Sequence, residues 1–145
     1  MNDPLSTLEP EMSFECAHTF TEADIQRFGN LVNDHAPVHF DKKFARARGF
    51  ADTIVHGFLV SGFFSGILGE NLPGPNSVIN QTSFKYHLPV VLEQRLLYIV
   101  SVGRITPAVR AVSLNLKTVN SDEKSVITGS AICSFPTIKS CKGLT

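Results

Sequence analysis

Four side chains suited to proton transfer fall in one stretch of the chain: Asp34, His35, His39 and His56. Asp34 and His39 stand five residues apart, so on an unbroken helix they would point to different faces. Pro37 lies between them and disfavours helix at Ala36, and a turned backbone can bring the two side chains together. An Asp beside a His can hold one water and share its proton traffic, which is the requirement of general acid–base catalysis. The same residues also have a plain structural use, an Asx turn or helix end at Asp34 beside a buried, hydrogen-bonded His39. Spacing alone leaves both readings open. His35 and His39 at i, i+4 would offer two zinc ligands on a helix, but Pro37 argues against that helix. Neither an H-E-x-x-H motif nor a Cys/His quartet is present, and no metal is expected. Ser61 and Ser65 sit in no G-x-S-x-G elbow. Cys133 lies in an apolar run, where a cysteine acts as a small core residue.

These side chains need a scaffold, and the strongest candidate is the apolar stretch from Ile54 to Gly69, which has no Pro, Asp, Glu, Lys or Arg. Large apolar residues fall on every side of its helical wheel, so it is expected to be a helix buried all round. It is too short and Gly-rich for a membrane span. Small residues recur at spacing four (Gly57, Ser61, Ser65, and separately Gly62, Gly66), which predicts close packing against the helix backbone. Gly57 falls near the helix N-terminus, where backbone N–H groups have no intrahelical partner. Lacking a side chain, it lets a carbonyl oxygen approach its N–H, the geometry of an oxyanion site. Close packing alone would explain the glycine equally. His56 beside it is either a second donor or a satisfied structural histidine.

Upstream, Met12–Phe20 alternates weakly as an edge strand. Thr21 and Asp24 resemble a capping box, and Ile25, Phe28, Leu31 and Val32 predict an amphipathic helix from Glu22 to Leu31. The polar segment Asp41–Asp52 is expected to form a short helical turn. Downstream, Leu72-Pro73-Gly74-Pro75 breaks the chain. Four period-two runs follow, over 78–88, 96–102, 110–118 and 127–135, joined by short turns that imply antiparallel neighbours. The pattern predicts an α+β fold with a curved antiparallel sheet around the central helix. Residues 1–10 and 137–145 read as loose termini of a single domain over 1–145.

Composition narrows the function classes. The 145 residues carry 13 basic and 13 acidic side chains, leaving no basic excess to neutralise nucleic-acid phosphates. The three cysteines, Cys16, Cys133 and Cys141, are odd in number and widely spaced, which suggests free thiols in a reducing compartment. The polar start Met1-Asn2-Asp3-Pro4 does not have the pattern of a signal peptide. A cytoplasmic protein without a membrane or nucleic-acid partner is expected.

Taken together, Phe28–His39, Ile54-Val55-His56-Gly57, Phe64–Gly69, Leu72-Pro73-Gly74, Ser83-Phe84-Lys85 and Leu88-Pro89-Val90 resemble the MaoC-like, R-specific enoyl-CoA hydratase family. The resemblance spans Phe20 to Phe135. It implies a hot-dog fold, a homodimer, and acyl chains bound in a tunnel near the subunit interface. It implies Asp34 and His39 as the catalytic pair, the Gly57 N–H as oxyanion donor and Ser65 as a support that orients the Asp. The implied reaction is reversible addition of water to a trans-2-enoyl thioester, with no cofactor, on acyl-CoA or acyl carrier protein. The family pattern has an Asn immediately before the Pro; here Ala36 occupies that place and His35 stands beside it. The alternatives are a carrier-protein dehydratase served by Lys42, Lys43, Arg46 and Arg48, a thioesterase on the same fold, or a non-catalytic acyl-CoA-binding module. The bulk of Phe58, Phe63 and Phe64 suggests a short-to-medium acyl preference.

Overall fold

Residues 3–137 are described by the computed structural model. A strand β1 (Ser13–Thr19) leads into helix α1 (Glu22–Val32), two short helices α2 (Pro37–Phe40) and α3 (Lys42–Ala47), and the paired helices α4 (Gly57–Gly62) and α5 (Phe64–Glu70). Strands β2 (Val78–Tyr86), β3 (Arg95–Thr106), β4 (Ala111–Asn120) and β5 (Ser125–Ser134) complete the chain. The five strands form one antiparallel sheet in the order β1-β3-β4-β5-β2. Alternation drives this result. Leu96, Tyr98, Val100 and Val102 on β3, with Val112, Leu114 and Leu116 on β4, turn one face inward against Val60, Phe64, Ile67 and Leu68 of the helices. A period of two sends every second side chain to that face. The outcome is the expected α+β fold, a sheet curled around a helix.

The central helix departs from expectation in two ways. It is interrupted at Phe63, between α4 and α5, and the buried Tyr98 hydroxyl donates to the Val60 carbonyl (2.8 Å) just before that interruption. It is also not buried all round. Phe58 is 80% exposed, and Gly62, Ser65 and Gly66 are exposed with it. An added Cβ at Gly62 or Gly66 would meet nothing within 4 Å, so the expected close packing is absent there. The physical reason is that the sheet covers only one stripe of the helix. An apolar sequence states what prefers burial, not what is available to cover it.

Strand β2 is an edge strand exposed along nearly its whole length. At the start of the chain, residues 3–8 are not a loose arm. Asp3 accepts from Leu5 N–H and receives two 2.9 Å hydrogen bonds from the Arg110 guanidinium, while Leu5 enters the core. Arg110 also donates to the Phe135 carbonyl (2.9 Å), so one side chain clasps both ends of the described chain. The tail expected to fray lies, from residue 138, outside the described residues, and Cys141 with it. Among the described residues no helix is long and apolar enough to cross a membrane.

Candidate active site

The Thr21–Asp24 capping box forms as expected and starts α1. The helix ends one residue beyond Leu31, with Asn33 in a left-handed conformation (φ 58°). This turn swings Asp34 off the helix. Its carbonyl packs against Gly29, where an added Cβ would lie 2.9 Å from that oxygen and 2.6 Å from the Phe40 ring. Only glycine lets the loop lie so close. The next residues make an Asx turn, with Ala36 N–H donating to Asp34 Oδ1 (3.1 Å). Ala36 is kept out of helical conformation, as expected before a proline, and Pro37 is itself the first residue of α2, a position that suits its fixed φ and missing N–H. His39 therefore stands on a short helical turn five residues from Asp34, and Asp34 Oδ2 and His39 Nε2 come to 4.0 Å. That gap is too long for a hydrogen bond and lets both groups address one water.

The ring of His39 is fixed from behind. Its Nδ1–H donates to the Ile54 carbonyl (2.7 Å), and Ile54 N–H donates in turn to the Val38 carbonyl (3.1 Å). Nε2 is thus the only nitrogen of His39 left to exchange protons on the side of Asp34. His56 completes the cluster. It is 2% exposed, its Nε2–H donates to the Asp34 carbonyl (3.1 Å), and its ring stacks on His39 with centroids 3.9 Å apart. Burial pushes the His56 pKa below its ordinary value, against the opposing pull of its bond to Asp34. A neutral His56 that donates from Nε2 leaves Nδ1 as a bare acceptor, buried and without a partner among the described residues.

Asp34, His39 and His56 bring three donor atoms within 4.8 Å of one another, a spacing that would suit a metal ion. The tautomer argues otherwise. The His56 nitrogen nearest the Asp34 carboxylate carries the proton donated to the Asp34 carbonyl, so it has no lone pair to offer. His35 does not fill the place of the missing Asn, because it turns away to Asn30 Oδ1 (3.0 Å). Nor does Ala36 loosen the turn, since the bond to Asp34 Oδ1 comes from its backbone.

Gly57 is the first residue of α4, and among the described residues nothing accepts from its N–H. It lines the same apolar cavity as His39, about 290 Å³, together with Tyr86, Leu88 and Val90. An added Cβ at Gly57 would sit 3.3 Å from the Tyr86 ring. Ser65 is not brought to Asp34. It lies eight residues beyond Gly57, roughly 12 Å along the helix axis, and lines a separate cavity with Phe58, Ser61 and Leu68. Cys133 is fully buried and burial pushes its thiol up to about 11, which fits a core residue and not a nucleophile. Sequence reasoning missed three participants: Gly29, the Ile54 carbonyl and Tyr86. A glycine inside an amphipathic helical pattern was the one readable signal among them.

The MaoC like domain model matches residues 5–124. The chain belongs to the MaoC-like family. An (R)-specific enoyl-CoA hydratase of Rhodospirillum rubrum is 33% identical over 124 residues, which is 86% of this MaoC-like chain and 85% of that protein. A 3-hydroxyacyl-[acyl-carrier-protein] dehydratase of Solanum lycopersicum is 32% identical and covers 84% of this chain and 74% of its own. The solved (R)-hydratase of Aeromonas caviae superposes with a TM-score of 0.86 at 29% identity, covering 90% of this chain and 98% of that one. The hot-dog fold implied by the sequence motifs is therefore the fold of this MaoC-like chain.

Proposed function

We propose that this protein is an (R)-specific enoyl-CoA hydratase, a hydro-lyase that adds water reversibly across a trans-2-enoyl thioester. The observation that carries the reading is the facing of Asp34 Oδ2 and His39 Nε2 at 4.0 Å, with Gly57 lining the cavity that His39 borders. The named activities of the relatives, R-specific hydration and 3-hydroxyacyl dehydration, are two directions of this one reaction.

In the hydration direction one water lies between the pair. The Asp34 carboxylate takes a proton from it as its oxygen bonds to C3. The electrons of the C2–C3 double bond move toward the thioester, whose oxygen gains charge and accepts from the Gly57 N–H. His39, as imidazolium, delivers the Nε2 proton to C2. Transfer of the proton from Asp34 back to His39 Nε2 restores the pair. The Ile54 carbonyl holds the other ring nitrogen throughout, and His56 supports both partners through the Asp34 backbone and the His39 ring. No redox carrier or metal enters these steps.

Coenzyme A is the favoured carrier of the acyl group. Of the four basic residues that a carrier protein would meet on or beside α3, three are engaged locally: Lys42 pairs with Asp52 (3.7 Å), Arg46 reaches the Ala51 carbonyl, and Arg48 lies over the Phe44 ring. A homodimer is supported by the open edge of β2 and the exposed apolar side chains Phe58, Val78 and Ile79, since unpaired edges and apolar patches of this kind favour a partner. The free thiols Cys16 and Cys133 accord with a cytoplasmic setting.

The deciding experiment follows loss of enoyl-thioester absorbance with crotonyl-CoA. Asp34→Asn and His39→Gln are each expected to slow turnover by about 10²–10⁴-fold, the usual contribution of a general acid or base. Release of free thiol would identify a thioesterase. Wild-type inactivity in both directions, or full activity in both variants, would overturn the reading.

A further inference from the structure

Two cavities lie along the cleft between the central helix and β2. The first, about 290 Å³, holds His39 and Gly57; the second, about 350 Å³, is lined by Phe58, Ser61, Ser65, Leu68, Ile79 and Phe84. Both draw on one helix stripe, Gly57, Ser61, Ser65 and Leu68, spaced at three and four residues. Both also draw on one face of β2, where Thr82, Phe84 and Tyr86 alternate with outward neighbours. Tyr86 lines the first cavity and Ser61 the second, so the two meet at this pair of residues. The Tyr86 ring packs over Gly57, and its hydroxyl reaches one helical turn further to Ser61 Oγ at 2.8 Å. Ser61 is 4% exposed and points its own hydroxyl at the Phe58 carbonyl (3.4 Å), so it is placed to accept from Tyr86. The Tyr86 side of the crossbar is half-exposed among the described residues.

We propose that the Tyr86–Ser61 hydrogen bond is the chain-length stop of this protein: it closes the catalytic cavity behind a short acyl chain and keeps the distal carbons of longer chains out of the apolar space around Ser65 and Leu68. Tyr86 is thereby a specificity-determining residue that touches the acyl group. The catalytic cavity alone sits at the lower limit of ordinary ligand sites, roughly 300–1,000 Å³, and the second cavity more than doubles the room. Phe63, a bulky residue of the same helix, plays no part here, because it stacks on His18 on another side. The proposal rests on acyl thioesters being the ligand, and its test reads binding separately from turnover.

The test measures affinity for saturated acyl-CoA thioesters of four, eight and twelve carbons, by calorimetry, in the wild type, Tyr86→Phe and Tyr86→Ala. The same chain lengths are assayed as enoyl-CoA substrates. Each methylene that gains a buried place is worth about fourfold in affinity. The wild type is expected to favour four carbons. Tyr86→Ala is expected to raise the eight-to-four affinity ratio more than about tenfold, and Tyr86→Phe, which keeps the ring and loses the hydroxyl, to raise it less. Ser61→Ala removes the other end of the bond and is expected to match Tyr86→Phe. Thermal unfolding and size-exclusion chromatography confirm that the variants fold and assemble as the wild type does. A ratio unchanged in both Tyr86 variants, or a wild type that already prefers twelve carbons, overturns the proposal. If the ratio shifts while no enoyl-CoA is consumed, the hydratase reading fails and the chain-length stop stands.

Discussion

The two ends of the cleft are held by different kinds of bond. At the His39 end the backbone does the holding: Ala36 N–H and the carbonyls of Ile54 and Asp34 each take one polar atom of Asp34, His39 or His56. At the Ser65 end the cleft has a buried floor of Phe64 and Leu68 and an exposed rim of Phe58, Ser65 and Ile79, and the bond that closes it joins two hydroxyls. Backbone bonds do not depend on which side chain sits at the donating or accepting residue. They keep the proton-transfer geometry through substitution, as Ala36 illustrates. A side-chain pair is lost with a single mutation. The chemistry is thus carried by the part of the cleft that is hard to change, and acyl selection by the part that is easy to change.

The largest break in this comparison should come from a residue that never touches substrate. Gly29→Ala places a methyl against the Asp34 carbonyl and the Phe40 ring, where no room exists. The Asp34 loop must shift by a few tenths of an ångström. Displacements near 1 Å in a catalytic group cost on the order of 10²-fold, and for this smaller shift kcat/KM for crotonyl-CoA is expected to drop by about tenfold. Octanoyl-CoA affinity relative to butyryl-CoA should stay unchanged, because the far half of the cleft is untouched. A Gly29→Ala enzyme of full activity would show that the loop is not held as tightly as its contacts suggest.

Next in size is an effect on stability. Tyr98→Phe leaves the Val60 carbonyl without its buried donor. An unsatisfied buried acceptor costs about 1–3 kcal/mol, and a domain of this length loses roughly 2–4 °C in melting temperature per kcal/mol. Calorimetry of the variant checks this. The bond sits on the helix between the two ends of the cleft, so both ends should loosen together. A loss confined to long-chain binding would place the residue with the tunable half instead.

How far the sequence reached depends on the range of the interactions involved. The four long strands were legible from alternation, and α1 from its capping residues, because these signals are local. The convergence of Asp34 and His39 was legible because Pro37 stands between them. The interruption at Phe63 was not, since no Pro or charge marks it. The Tyr86–Ser61 bond joins residues 25 apart, and nothing in either local pattern announces it. The exposure of Phe58 was hidden for the opposite reason: the apolar pattern was clear and misleading, because no strand of the described chain covers that side. Ser65 was assigned through family resemblance alone, and the geometry of the chain sets it apart from Asp34.

The buried end also carries a pH dependence. The folded pKa of His56 lies below its ordinary value of 6.5, chiefly through burial. As pH falls through 6.5 the unfolded chain takes up a proton that the folded chain refuses, so protons favour unfolding. Stability owed to this group is complete above pH 6.5, declines below it, and stops declining once the pH is under the folded pKa. His56→Asn should flatten this part of the melting-temperature profile. An equally steep decline in the variant would assign the effect to another group.

The smallest expected effect separates resemblance from geometry. Ser65→Ala removes an exposed hydroxyl for which no hydrogen bond is formed among the described residues. Surface changes of this kind usually stay within about 0.5 kcal/mol, so crotonyl-CoA turnover is expected to hold to within about twofold. Because Ser65 lines the far cavity, any change should fall on chains long enough to enter it, and chiefly in combination with Tyr86→Ala. A large loss with crotonyl-CoA would mean that Ser65 reaches the catalytic pair in the working assembly, and that the rigid half of the cleft extends further along the helix than one chain by itself reveals.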